Sequence, residues 1–263
     1  MELLFYILAG AGVGFAVGMT GVGGGSLMTP LLILWGIDPR IAIGTDLLYA
    51  AATKSGAMIS HQRQGTVRWR LVIILAAGSI PASLLTSYVI RQYLSEYDYA
   101  PLLSQCMGYM LVATAFVVFF RQRIQGELPE HHTNINWFHR NSRKVTFVAG
   151  VLLGILVTLS SVGAGAFCAA LLLTLYPRLP ALHVVGTDIS HAVPLTLIAG
   201  LGHLWNGNVD FGLLFGLLIG SLPAVYFGSK LAAKIPNSIL QPVLACLLLA
   251  VGIKFAFFAG AGH

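Results

Sequence analysis

Long apolar stretches almost free of charge dominate this 263-residue sequence. Hydrophobic residues make up 57% of the chain and charged residues only 9%, against roughly 25% charged residues in soluble globular proteins. The charges lie in short groups between apolar segments of about 20 residues, the length of a helix that crosses a ~30 Å hydrocarbon core. The sequence therefore predicts an all-α polytopic membrane protein.

Ten apolar segments follow one another along the chain. They are 3–18, 26–36, 40–60, 70–90, 98–120, 145–160, 163–176, 182–203, 210–230 and 239–259. Two of them, 26–36 and 163–176, are too short for a full crossing, which needs about 20 residues. We therefore expect about 8–10 membrane segments in all.

The chain is predicted to contain two copies of one unit, because many positions match in one register. The matching pairs are Val22 and Val162, Gly23 and Gly163, and Gly25 and Gly165 at an offset of 140, then Gly44-Thr45-Asp46 and Gly186-Thr187-Asp188, His61 and His203, Gly65 and Gly207, and Gly78 and Gly220 at an offset of 142. We predict a first membrane repeat over 1–120, a cytoplasmic linker over 121–144 and a second membrane repeat over 145–263.

Loop charges predict the orientation of the two copies, since lysine and arginine concentrate in cytoplasmic loops. Loop 61–70 carries three arginines and the linker carries five basic residues, so both are expected in the cytoplasm. The loop equivalent to 61–70 in the second copy is 204–209, which has no Lys or Arg, whereas the next loop carries Lys230 and Lys234. Equivalent helices are therefore expected to point in opposite directions. This is the inverted-repeat plan of many secondary transporters, whose substrate sites lie near the membrane midplane.

Each copy is expected to consist of a glycine-rich broken hairpin, which either crosses the bilayer or re-enters, and about three transmembrane helices. Glycines let the backbone leave helical geometry and aim several N–H groups at one point, and the short helix that follows adds its positive N-terminal end. The two hairpin tips are predicted to bind an anion, although close helix packing through small residues would give the same pattern. The candidate residues are Thr20, Gly21, Gly23, Gly24, Gly25 and Ser26 in the first tip and Ser160, Ser161, Gly163 and Gly165 in the second.

Four ionisable residues inside the predicted spans are further candidates, because such groups are costly in a membrane and usually functional. Lys54 lies two helical turns from Asp46 on the same face, where it would attract an anion or pair with an acid from another helix. Asp46 and Asp188 would either carry a coupling proton or cap and pack helix ends. His191 suits proton coupling through its near-neutral pKa, or it is a hydrogen-bonded core histidine.

No cofactor, metal site or nucleic-acid partner is expected. Cys106, Cys168 and Cys246 lie far apart in apolar segments, so they are interpreted as small packing residues. The net charge of +6 comes from basic loop residues without interleaved aromatic side chains, a pattern that sets membrane topology rather than binding nucleic acid. The polar linker contains three histidines that are expected to be solvated.

The run Gly21-x-Gly23-Gly24-Gly25-x-x-x-x-Pro30, followed by Gly44-Thr45-Asp46, resembles the sulfite exporter TauE/SafE family of bacterial membrane permeases. The repeat architecture extends this resemblance over essentially the whole chain. It implies export or uptake of a small anion such as sulfite, a sulfonate or sulfoacetate across the bacterial inner membrane, driven by the proton gradient. The second copy departs from the pattern at Ala164 and Ala170, so the two tips are expected to contribute unequally.

Alternating access of inverted repeats is the expected mechanism, with a small anion and the lipid bilayer as partners. An anion channel is the nearest alternative. An intramembrane hydrolase would use Ser160 or Ser161 with His191, but no nucleophile-elbow or HExxH pattern accompanies them, so the chain is not expected to be an enzyme. The sequence is compatible with both a monomer and a homo-oligomer.

Overall fold

The computed structural model describes residues 2–20, 25–94, 97–126, 141–163, 165–232 and 237–258. Within these ranges the chain forms ten α-helices and no strand, which confirms the all-α prediction. The helices are α1 Glu2–Thr20, α2 Gly25–Leu34, α3 Pro39–Arg63, α4 Trp69–Val89, α5 Ala100–Gly126, α6 Ser142–Ser160, α7 Ala166–Leu175, α8 Ala181–Trp205, α9 Phe211–Ala232 and α10 Asn237–Phe258, and a π-helical turn, Ile90–Leu94, follows α4.

Local sequence signals explain where the central helices begin and end. Asp38 caps α3 by accepting a hydrogen bond from the Arg40 backbone N–H, with Pro39 at the first helical position. The turns after α3 and α8 contain Gly65 at φ 67° and Gly207 at φ 77°, a left-handed conformation that glycine adopts without steric cost. The two helices therefore end in the same kind of turn.

Segment 121–144, predicted as a linker, is partly helical at both of its ends. Helix α5 continues to Gly126 and α6 begins at Ser142. The central part, 127–140, which contains the linker histidines, lies outside the described residues.

The order and lengths of the helices occur twice. Helices α1 and α6 have 19 residues each, α2 and α7 have 10 residues each, and α3 and α8 have 25 residues each. Helix α3 begins at residue 39 and α8 at residue 181, an offset of 142 that equals the offset of the Gly-Thr-Asp motifs. Ten residues form a helix of about 15 Å, half the thickness of a hydrocarbon core. Helices α2 and α7, the second arms of the two hairpins, are therefore about half as long as a membrane span.

Glycine contacts relate the two halves by an approximate twofold axis. The most extensive packing of α1 is with α9, and α4 makes its most extensive contact with α6. Gly10 lies against the backbone of Leu217, and the equivalent Gly150 lies against the backbone of Leu75. A contact that recurs with the halves exchanged is the mark of a twofold relation. Gly14 with Ser221 and Gly154 with Ser79 form the next such pair.

Equivalent helices of the two halves run antiparallel where they pack together. Close contacts between α3 and α8 join Gly44 to His203, Leu48 to Gly200, and His61 to Gly186. Contacts between α5 and α10 join Gly108 to Phe255 and Val112 to Gly252. In both pairs the residue number rises along one helix as it falls along the other, so the twofold axis lies across these helices.

The outer surface of the described helices is apolar. Large hydrophobic side chains with more than half of their surface exposed include Leu8, Ile73, Leu85, Phe116, Leu152, Phe215, Ile219 and Val243. Among the residues that the structure describes, five helices are long and apolar enough to cross a membrane, namely Trp69–Leu94, Ala100–Phe119, Ser142–Ser160, Ala181–Trp205 and Phe211–Gly228. So large an apolar surface requires a lipid environment, and the chain is therefore a multi-pass membrane protein.

Candidate functional site

Lys54 lies close to the level at which the twofold axis crosses the central helices. Leu48 of α3 contacts Gly200 of α8. Counting onward along α3 and back along α8 by the same number of residues brings Thr53 level with Leu195, its own equivalent in the second half. Lys54 follows Thr53 directly, so it stands one residue from the axis. Its equivalent at the offset of 142 is Thr196, so the site has this lysine in one half alone.

The electrostatic partners of Lys54 come from three helices. Lys54 interacts electrostatically with Asp188 and His191 of α8, with Asp46 of α3 and with Cys168 of α7. The structure therefore brings together all four predicted ionisable residues. Lys54 therefore interacts with carboxylates supplied by both halves.

Asp46 is fully buried and links the two halves through hydroxyl groups. Its Oδ2 atom accepts a hydrogen bond from Oγ1 of Thr29 in α2 and a second, 2.9 Å long, from Oγ of Ser161. Ser161 belongs to the second half, in the turn between α6 and α7. The other carboxylate oxygen, Oδ1, is buried and has no hydrogen-bond partner in the structure.

The tip of the second half has irregular backbone, as predicted. Ser161 follows α6 in a left-handed conformation at φ 57°, and Gly163 has φ 108°. The Ser160 hydroxyl donates to the backbone carbonyl of Leu156 at 2.6 Å and accepts a hydrogen bond of 3.2 Å from the backbone N–H of Val162, which keeps it within the tip. Gly165 precedes α7 as its N-cap residue. Of these predicted residues, Ser161 contacts Asp46.

The tip of the first half lies largely outside the described residues. Gly21, Gly23 and Gly24 fall in the gap between α1 and α2. Thr20 ends α1, whereas Gly25 and Ser26 begin α2. The predicted roles of these residues in anion binding stay predictions.

His191 and Asp188 are buried in α8 and have partners in other helices. Nε2 of His191 lies 2.9 Å from Oγ of Ser79 in α4, and its Nδ1 atom is buried without a hydrogen-bond partner. The thiol of Cys168 donates a hydrogen bond to the carboxylate of Asp188. Cys168 is therefore part of the polar cluster, whereas the sequence indicated a packing role alone.

The Gly-Thr part of each Gly-Thr-Asp motif holds the opposite half. Oγ1 of Thr45 accepts a hydrogen bond of 3.1 Å from the backbone N–H of Asp210, and Oγ1 of Thr187 accepts one of 3.0 Å from that of Arg68. Gly44 lets the loop at Asn208 approach so closely that any side chain at residue 44 would overlap the loop's backbone. The motif thus combines a clamp between the halves with a carboxylate in the site.

Sequence reasoning missed three polar residues of this cluster, namely Thr29, Ser79 and Cys168. Thr29 and Ser79 are uncharged residues of apolar helices, so only their contacts with Asp46 and His191 reveal their role. Across the described part of the chain, no group of three or more His, Cys, Asp or Glu side chains is arranged to hold a metal ion.

A bundle of apolar helices around a cluster of one partly buried lysine, two buried aspartates and hydroxyl groups is typical of a membrane transporter. The family model described as "Sulfite exporter TauE/SafE" matches residues 6–255, so the chain belongs to this family of membrane transporters.

Relatives of similar length support this assignment. The chain is 37% identical to the "Probable membrane transporter protein YjnA" of Bacillus subtilis, with 94% of this chain and 97% of the relative covered. It is 28% identical to YdhB of the same organism, another "Probable membrane transporter protein", over 90% of this chain and 96% of the relative. A relative from Methanocaldococcus jannaschii, MJ0441, is 23% identical over 92% of each chain. No solved structure matches the chain.

Proposed function

We propose that this protein is a secondary transporter that moves a small anion across the bacterial inner membrane by proton-coupled alternating access. The substrate class is sulfite, a sulfonate, sulfoacetate or a related organic anion. The observation that carries the proposal is the position of Lys54, a single lysine in the polar cluster at the level of the twofold axis. A lysine inside a membrane protein is costly and usually marks a substrate or ion pathway.

An anion is favoured because the positive charge of Lys54 and the N-terminal end of α7 can compensate the negative charge of the anion. Lys54 supplies a positive charge, and Ser161 lies in the irregular second tip, in the turn that precedes helix α7. The N-terminal end of the helix that follows the tip favours negative charge and presents backbone N–H groups to an anion. The name of the family, sulfite exporter, gives the substrate class that we expect.

Alternating access is supported by the direction of the equivalent helices. Helices α3 and α8 pack antiparallel, as do α5 and α10. If these helices cross the bilayer, the two halves have opposite orientations and the twofold axis lies in the membrane plane. Lys54, next to this axis, would then lie near the midplane, where both sides can reach it in turn.

Anion binding is tested by the thermal stability of the detergent-purified protein with sulfite, thiosulfate, sulfate, methanesulfonate, taurine, sulfoacetate and acetate. A bound anion at 100 times its Kd stabilises the native state by about 2.7 kcal/mol. We expect a selective shift that disappears in Lys54→Met and persists in Lys254→Met, since Lys254 is an exposed lysine of α10 outside the cluster. No shift with any anion would refute an anion site.

Transport is tested in proteoliposomes loaded with the anion that gives the largest shift. A carrier is expected to show saturable uptake and exchange of labelled for unlabelled anion, both driven faster by a proton gradient. Continuous conductance in a planar bilayer would instead identify a channel.

A further inference from the structure

The polar cluster holds one more carboxylate than it has lysines. Asp46 and Asp188 are its two acidic side chains, and Lys54 is the cation that interacts with both. With all three groups charged, the cluster has a net charge of −1. An anion entering it would meet an excess of negative charge in a medium that screens poorly.

The two carboxylates differ in their hydrogen-bond partners. Asp188 interacts with Lys54 and also accepts the hydrogen bond from Cys168. Asp46 depends instead on the hydroxyls of Thr29 and Ser161, and both of them bind the same oxygen, Oδ2.

The second carboxylate oxygen of Asp46, Oδ1, makes no hydrogen bond. Oδ1 is buried, and a buried polar atom without a partner is costly. A proton on Oδ1 would remove the negative charge of the Asp46 carboxylate. Oδ1 could then donate a hydrogen bond to an anion.

The groups that surround Asp46 and Lys54 come from several elements. Helix α3 contributes Lys54 and Tyr49, α8 contributes Asp188 through its interaction with Lys54, α2 contributes the uncharged hydroxyl of Thr29, and the second tip contributes that of Ser161. The remaining titratable neighbours of Lys54 are Cys168 on α7 and His191 on α8. Among all these groups Lys54 supplies the positive charge, and it is shared with Asp188.

We propose that Asp46 takes up a proton at Oδ1 when an anion binds beside Lys54, so that one proton and one monovalent anion occupy the site together. This inference rests on the proposed function and specifies its coupling. The proton comes from water, forms an O–H bond on Asp46 and donates a hydrogen bond to the anion. The loaded cluster then carries the same net charge of −1 as the empty one, because the added proton and the added anion cancel.

The proton count is measurable by titration calorimetry with methanesulfonate, whose single negative charge does not change with pH. The binding enthalpy is recorded at one pH in two buffers of different ionisation enthalpy. We expect uptake of one proton per anion and a Kd that rises tenfold per pH unit in the alkaline range. Binding without proton uptake would overturn this inference and leave the proposed function intact. Absence of binding by any anion of the panel would overturn both.

Two variants identify the group that takes up the proton. Asp46→Asn imitates the protonated carboxyl, so methanesulfonate should bind without proton uptake and with a Kd that no longer depends on pH. Asp98→Asn, at an exposed residue outside the cluster, should keep the wild-type proton count. Proton uptake that persists in Asp46→Asn and is lost in Asp188→Asn would assign the proton to the other carboxylate and overturn the proposal.

Infrared difference spectroscopy on the wild-type protein covers the case in which Asp46→Asn fails to fold. Adding methanesulfonate should produce the C=O stretching band of a protonated carboxylic acid. If no such band appears although the anion binds, Asp46 has not taken up a proton and the proposal fails.

Discussion

Gly14 tests the close packing of α1 on α9 that relates the two halves. A Cβ atom at this position would lie 2.6 Å from Cα and 2.7 Å from Cβ of Ser221, whereas carbon atoms pack best at about 3.5–4.0 Å. The helices would have to separate by about 1 Å to make room, because the obstructing atoms are backbone atoms or are attached directly to them. Overpacking of this kind costs about 1–3 kcal/mol, so Gly14→Ala should destabilise the protein by that amount relative to a variant without the clash.

Gly12, two residues earlier in α1, is the matched control. A Cβ atom there meets no heavy atom within 4 Å. Both substitutions gain the same helix propensity of alanine over glycine, about 0.8–1 kcal/mol, so the difference between the two variants isolates the clash. A difference of 2 kcal/mol corresponds to about 4–8 °C in the apparent Tm.

The assay is thermal unfolding of the two variants in the same mild detergent, followed by size-exclusion chromatography. Gly154→Ala, at the equivalent position of the second half, should behave like Gly14→Ala, because its Cβ atom would lie 2.8 Å from Cα of Ser79. Equal apparent Tm values for Gly14→Ala and Gly12→Ala would refute the packing of α1 on α9.

Two further predictions concern hydrogen bonds to carboxylates. Ser161→Ala removes one of the two hydroxyl donors to Asp46 and should lower the free energy of unfolding by about 1.5–3 kcal/mol. Ser160→Ala should cost less, because the Ser160 hydroxyl donates to a backbone carbonyl. Equal losses of stability in denaturant titration would contradict the link between the halves. The pKa of Asp38 is lowered chiefly by its hydrogen bond from Arg40, so the stabilisation is present at neutral pH and is lost as the pH falls below the ordinary aspartate pKa of about 3.9. Arg40→Gln should therefore lower the Tm at pH ~7 and have a smaller effect at pH ~3, and a pH-independent loss would contradict this account.

The sequence predicted the helices closely because a membrane span must be long, apolar and internally hydrogen-bonded. The predicted segment 182–203 corresponds to α8, Ala181–Trp205, and segment 70–90 corresponds to α4, Trp69–Val89. The sequence also predicted that the second helix of each hairpin is short, because its apolar segment is about half as long as a membrane span. The length and the hydrophobicity of a segment are local properties, and the sequence shows them directly.

The sequence predicted only some of the residues of the polar cluster. Asp46, Lys54, Asp188 and His191 stand out in apolar segments because charge and imidazole are rare there. Thr29 and Cys168 do not stand out, since a small hydroxyl or thiol in a membrane helix can satisfy itself on the preceding turn. Their role depends on a neighbour that sequence distance does not show. Ser161 and Asp46, for example, are 115 residues apart.

The sequence by itself determined the class of protein and the identity of the rare charged residues, and it predicted a duplicated unit. Only the tertiary structure decided that the Gly-Thr pairs of Gly-Thr-Asp clamp the opposite half, that Lys54 stands beside the twofold axis, and that Asp46 has one saturated and one open oxygen. The physical reason is that hydrophobicity and periodicity act along the chain, whereas hydrogen-bond satisfaction and charge balance depend on which segments meet across the bundle.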